Sequence, residues 1–193
     1  IKICSLPRVD DILTDNNASS RFFSENPGLS HDKIVLYLPT FRDREAYVAE
    51  MLKVEFRGLE GYHLIISAHP LFSKIKVEDE FSYSGRFSTY DLMKVADVII
   101  TDYSACAFEA SVLMKPLYFF VPDYDEYSKE RGINVELKEK MPTATFEDAE
   151  QLVNSIKSNN YDFDSLYKFK SDYVENTKAN NAEILAKFIS MLV

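Results

Sequence analysis

The stretch VIITDYSACAFEASVLMKP, residues Val98 to Pro116, decides the fold. A β-branched apolar run ends in Asp102, Tyr103 and Ser104. An apolar pattern of helical spacing follows with no spacer, and Lys115-Pro116 stops it. A strand that runs straight into a helix through a polar corner is half of a β-α-β unit.

Outward from this block the same alternation recurs. KIVLYLP (Lys33 to Pro39) is a short run with β-branched and aromatic residues, as expected of a strand buried on both faces. YHLIISA (Tyr62 to Ala68) reads as a second strand, ended by His69-Pro70 because proline cannot donate to a ladder. DVIIT is the third and PLYFFVP (Pro116 to Pro122) the fourth. Between them, EAYVAEMLKVEFRGLEG (Glu45 to Gly61) reads as a helix closed by glycine. Ser88, three residues before Asp91, signals the start of another. TFEDAEQLVNSIKS is an amphipathic helix for which Thr145 is the expected cap, and the chain ends in helix. Asp15 to Ser30, rich in Asn and Ser, is expected to be a mobile loop. Strands alternating with helices predict an α/β fold, a doubly wound Rossmann-like parallel sheet.

The chain has 193 residues, 46% apolar and 27% charged, enough for a sizeable core. A net charge of -9 opposes non-specific binding to nucleic acid or an anionic membrane, so no nucleic-acid partner is expected. Cys4 and Cys106 read as reduced packing thiols, not a disulfide framework. No apolar run reaches the length of a membrane-spanning helix. The chain begins at Ile1 inside an apparent motif, SLPRVDDIL, and reads as a fragment lacking its N-terminal part.

In open parallel sheets ligands bind outside the carboxyl ends of the strands. The residues there are Thr40-Phe41-Arg42-Asp43, His69-Pro70, Thr101-Asp102-Tyr103-Ser104 and Asp123-Tyr124-Asp125. A helix opening after Ser104, with small Ala105 next, offers backbone N–H groups to an anion without a glycine-rich loop. His69 and Arg42 add donors, and Glu109, five residues after Ser104, is a candidate partner for a ribose. Together these describe a nucleotide-diphosphate pocket. Each residue also has a plainer reading. Ser104 and Asp102 serve equally as caps, His69 as a strand stop, Arg42 as the surface partner of Asp43, and Glu109 as a solvated helix residue. The DYDEYSKERG segment is either surface packing or a flap over a base. His31 and His63 have no metal-ligand spacing, and no metal is expected.

The ordered series LPRVDDIL, IVLYLPTFRD, LIISAHP and STYDLMKVADVIITDYSACAFEASVLMKPLYFFVPDYDEYSKERG resembles the CDP-glycerol glycerophosphotransferase family. These are the teichoic acid primases and polymerases and their capsule-polymer relatives. The likeness runs from about Leu6 to Arg131 and is diffuse beyond. It implies the C-terminal lobe of a GT-B-like architecture, binding a CDP-glycerol or related CDP-polyol donor as substrate, with no cofactor. It implies pyrophosphate contact, and hence a catalytic part, for His69. It implies a donor-binding loop of Thr101, Asp102, Tyr103 and Ser104, pocket lining by Thr40, Phe41 and Arg42, and a ribose or alcohol contact for Glu109. The polymer acceptor, the catalytic-base histidine and attachment to the inner face of the cell membrane would belong to an N-terminal lobe. Residues 1–32 would end the inter-lobe segment and hold the mobile loop. Residues 33–160 would form the nucleotide-binding domain, and 161–193 helices packing back on it. Ala105 stands where the family commonly has a second serine, leaving its backbone N–H as the expected phosphate donor. Phe41 stands for a Trp, Arg131-Gly132-Ile133-Asn134 for RGFY, and MPTAT for a PGP segment. Two other readings remain open: a nucleotide-sugar glycosyltransferase of the same architecture, and a non-catalytic nucleotide- or partner-binding domain.

Overall fold

The computed structural model describes residues 6–14, 17–40, 45–67, 81, 86–174 and 178–191. Its centre is a five-stranded sheet, all parallel, in the order β2-β1-β3-β4-β5. The strands are β1 (Lys33–Leu38), β2 (Tyr62–Ile66), β3 (Val98–Thr101), β4 (Leu117–Phe120) and β5 (Thr145–Phe146). Residues Ile34 to Leu38 and all of β3 and β4 are buried, as apolar runs covered on both faces must be. The four strands read from sequence are all present. The fifth is two residues long, too short for any periodic signal, and pairs through Phe119 with Thr145 and Phe120 with Phe146.

The ten α-helices of the described residues, beside a short 3-10 helix at Pro27–Leu29, are α1 (Val9–Leu13), α2 (Ala18–Glu25), α3 (Glu45–Phe56), α4 (Thr89–Val95), α5 (Cys106–Ser111), α6 (Tyr124–Arg131), α7 (Leu137–Lys140), α8 (Ala149–Ser158), α9 (Phe163–Tyr173) and α10 (Asn181–Ser190). Helices cover both faces of the sheet, α3 packing with α8 and α5 with α9. Ser88 and Asp91 form the expected reciprocal cap of α4.

Two local expectations are corrected. Ala18–Glu25 of the expected loop is helix, because Phe22 is buried and packs edge-on against Phe87 at 5.6 Å. A single large anchor outweighs the polar composition around it. The cap of α8 is Asp148, whose carboxylate accepts from Gln151 N at 2.9 Å. Thr145 belongs to β5, and its hydroxyl donates to Met141 O at 2.8 Å.

The strand order fixes where a ligand can enter. The chain leaves β1 toward β2 and leaves β3 toward β4, so connections diverge between the carboxyl ends of β1 and β3. That divergence opens a crevice at the rim.

Candidate functional site

At this switch point Asp102 ties the two central strands together. Its carboxylate accepts from Thr40 N at 2.9 and 3.0 Å and from Thr40 Oγ1 at 2.5 Å. Asp102 is almost fully buried, so these charge-assisted bonds are what make a carboxylate tolerable there. Thr101 is buried as well. Its hydroxyl donates to Leu38 O at 2.8 Å and lies 3.4 Å from Cys106 Sγ. The polar side chains of Thr40 and Thr101 are therefore engaged inside the protein, and they shape the loop that follows.

That loop turns sharply into α5. Ser104 Oγ accepts from Cys106 N at 3.4 Å, and Ala107 N donates to Ser104 O at 3.1 Å. The helix proper begins at Cys106 with Ala105 as its cap residue, one residue later than a start directly after Ser104. Burial pushes the Cys106 thiol up to about 11, which leaves it protonated and inert at neutral pH.

Beside the loop is a cavity of about 110 Å³. Asp102, Tyr103, Ser104 and Ala105 form its polar side. Phe108, Phe119 and Phe169 form its apolar wall, with Phe108 stacked on Phe169 at 5.8 Å and 12°. Tyr127, Gly132 to Val135 and Leu137 cover it. Tyr103 binds the cover to the loop: its ring lies parallel to Tyr127 at 3.7 Å and 9°, and its hydroxyl donates to Asp123 Oδ1 at 3.1 Å. The DYDEYSKERG segment is thus a cover over the cavity, not surface packing alone. The sequence carried this in its aromatic spacing, Tyr124 and Tyr127 beside the polar loop. The apolar wall from α9 was missed, because Phe169 is 65 residues beyond Ser104 and has no motif around it.

Glu109 does not line this cavity. It is buried on the other flank of α5, paired with Arg8 of the segment leading into α1. Burial raises its carboxyl above the ordinary range, and the Arg8 guanidinium partly opposes that. The expected ribose contact stays a proposal: in this structure the Glu109 carboxylate is engaged by Arg8, and Ala105, Ala107 and Phe108 are the residues near it that line the cavity. The structure brings together Asp102, Tyr103, Ser104 and Ala105 at the cavity and Thr40 behind them. Phe41, Arg42 and His69 lie outside the described residues. Among the described residues no cluster of His, Cys, Asp or Glu has metal-binding geometry, and no helix is long and apolar enough to cross a membrane.

Comparison with known proteins agrees with this architecture. The family model for CDP-glycerol:poly(glycerophosphate) glycerophosphotransferase matches residues 3–191. The teichoic acid ribitol-phosphate primase of Bacillus spizizenii is 32% identical over 181 residues, covering 88% of this chain and 46% of that protein. The teichoic acid glycerol-phosphate primase of Bacillus subtilis is 27% identical, covering 97% and 50%. The chain spans about half the length of these curated relatives. Among solved structures, the wall teichoic acid polymerase TagF superposes with a TM-score of 0.69 at 22% identity, over 98% of this chain and 51% of that one. A UDP-GlcNAc 2-epimerase of Methanocaldococcus jannaschii shares the fold with a TM-score of 0.55 at 17% identity, over 98% and 55%. With a family model matching nearly its whole length, the chain belongs to the CDP-glycerol:poly(glycerophosphate) glycerophosphotransferase family.

Proposed function

We propose that this chain is the donor-nucleotide-binding lobe of a transferase that moves glycerol phosphate, or a related polyol phosphate, from a CDP-alcohol to a cell-surface polymer. The observation that carries this reading is the cavity at the switch point. Its polar side is the 102–105 loop and its cover is Tyr127 with residues 132–135 and 137, two blocks that fall within the family match.

In the proposed reaction an alcohol oxygen of the polymer attacks the β-phosphorus of the donor. A new P–O bond forms, the bond to the bridging oxygen breaks, and CMP leaves with the electron pair. The alcohol's proton passes to a base contributed by the other half of the relatives' length. This lobe's part is to position the diphosphate and stabilise its charge. The loop amide at Ala105 and the Ser104 hydroxyl are its proposed phosphate donors, with His69 and Arg42 as further contacts and Phe41 beside the base. Asp102 and Thr40 hold the loop in place. Work at the inner face of the cell membrane is part of the same proposal, through regions beyond this half.

Calorimetry on the chain tests it. CDP-glycerol or CDP-ribitol is expected to bind, and Ser104→Ala and His69→Ala are each expected to weaken binding by about 1–3 kcal/mol. Tight binding of a UDP-sugar with silence toward CDP-alcohols would replace this reading with a nucleotide-sugar transferase, to which the shared epimerase fold lends weight. The chain alone is expected to bind donor without extending polymer, and extension by the isolated chain would refute the division of labour.

A further inference from the structure

The cover of the cavity is attached in an unusual way. Helix α6 buries none of its residues, and its sequence, YDEYSKER, is mostly charged. What joins it to the loop is a pair of rings. Tyr127 of α6 lies flat on Tyr103 at 3.7 Å and 9°, and both rings line the cavity. One turn earlier on the same face, the half-buried Tyr124 ring packs against the core and lies 6.4 Å from Tyr103. The Tyr124 hydroxyl donates to Glu136 Oε2 at 2.7 Å, and Lys138 Nζ sits 4.0 Å from the Tyr124 ring centre.

The helix ends at Gly132, with φ 76° and ψ 160°. That backbone region is essentially open to glycine alone. A Cβ at Gly132 would meet nothing within 4 Å, so crowding does not explain the glycine and backbone freedom does. The segment from Gly132 to Val135 continues along the cavity. A mostly charged helix held by half-buried tyrosines, a permissive joint at its end and a flat ring over the 102–105 loop make an aromatic cover.

We propose that Tyr127 is the nucleobase-stacking residue of this site, and that its stack on Tyr103 is the closed state into which the base inserts. This rests on the donor-binding reading above. Each aromatic face is sequence-tolerant as a stacking platform, so the pair selects for a flat base without reading its edge. The diphosphate would then lie on the Ser104–Ala105 side, next to Tyr103 in the chain. Opening requires α6 to move out by about one ring thickness, roughly 3.5 Å, with Gly132 absorbing the rotation.

The test uses two variants. Tyr127→Ala, at a helix with no buried residues, is expected to leave the far-ultraviolet circular dichroism unchanged. It should weaken CDP-glycerol by about tenfold or more, while displacement of CDP-glycerol by inorganic pyrophosphate shows the diphosphate contacts intact. Tyr127→Trp puts the sole tryptophan into a chain that has none, so its fluorescence reports this position alone. Quenching that saturates together with the calorimetric heat supports stacking. Calorimetric binding of CDP-glycerol with no fluorescence change, and full affinity in Tyr127→Ala, would overturn the stacking role and leave the donor-binding reading standing. Absence of CDP-glycerol binding to the unaltered chain would defeat that reading itself, and the stacking role with it.

Discussion

Charges that look alike in sequence have different tasks once folded. Asp102, Glu109 and Asp10 are all acids beside apolar runs, and only burial and partners separate them. Glu109 illustrates the asymmetry of a half-buried ion pair. Its side chain is 4% exposed and that of Arg8 is 48% exposed. Removing Arg8 strands a carboxylate out of water, whereas removing the Glu109 charge leaves a guanidinium that water can solvate. Arg8→Met is expected to destabilise by about 1–3 kcal/mol, and Glu109→Gln by clearly less, as measured by urea unfolding. The pH dependence has a defined sign. The folded carboxyl is raised above 4.5, so the folded state binds the extra proton. This group's contribution therefore falls as pH rises from 4.5 toward the raised value. Glu109→Gln should flatten that part of the stability profile. None of this was legible in sequence, where Arg8 and Glu109 are 101 residues apart and each looks solvated. Asp102 was legible as important but not in kind: its place after a buried strand marked it, and its capture of Thr40 from the neighbouring strand did not show.

Elements were legible in proportion to the regularity of what they bury. β1, β3 and β4 are continuous apolar runs and declare themselves. β5 and α7 have two and four residues, below any period, and exist because the sheet edge and the cavity cover hold them. The LMKP stop after α5 shows how a motif's meaning can lie in another element. Lys115, four residues past the end of α5, serves a different helix. Its Nζ donates to the carbonyls of Lys94 at 2.5 Å, Ala96 at 2.6 Å and Met93 at 3.3 Å, the last turn of α4. These are orphan acceptors at the negative end of the helix dipole, and an ammonium group satisfies all three. Burial pushes the Lys115 amine below its ordinary value, with Asp97 opposing, so the carbonyls hold a cation that solvation alone would not favour there. Lys115→Met keeps the stem and removes the donor. It is expected to cost about 1–3 kcal/mol in chemical denaturation, with α4 amides losing exchange protection first. Unchanged protection in α4 would mean that Lys115 acts only by packing.

At the scale of the whole molecule, a carboxylate near one end of the chain caps a helix near the other. Asp10 of α1 accepts from Asn181 N at 2.9 Å, Asn181 Nδ2 at 2.8 Å and Ala182 N at 2.9 Å, which caps α10 from 171 residues away. Packing is partial: Asn181 is the only fully buried residue of α10, Leu185 and Phe188 are half-buried, and Ile184 and Ile189 are exposed. The docking of the last helix therefore depends in part on the ionised state of Asp10. The Ala182 amide holds that carboxyl below 3.8, with the Asn181 bonds adding to it and burial opposing. A carboxyl depressed in the folded state stabilises it above the unfolded value of 3.8 and loses that contribution as pH falls through the lower folded value. Two outcomes follow. Asp10→Ala should raise amide exchange in 181–190 at neutral pH while the sheet amides keep their protection. In the unaltered chain, the same amides should lose protection, relative to their intrinsic rates, as pH falls below 3.8, ahead of β1 and β3. If α10 and the sheet lose protection together in both experiments, the helix is held by the packing of its half-buried Leu185 and Phe188, and Asp10 is a bystander.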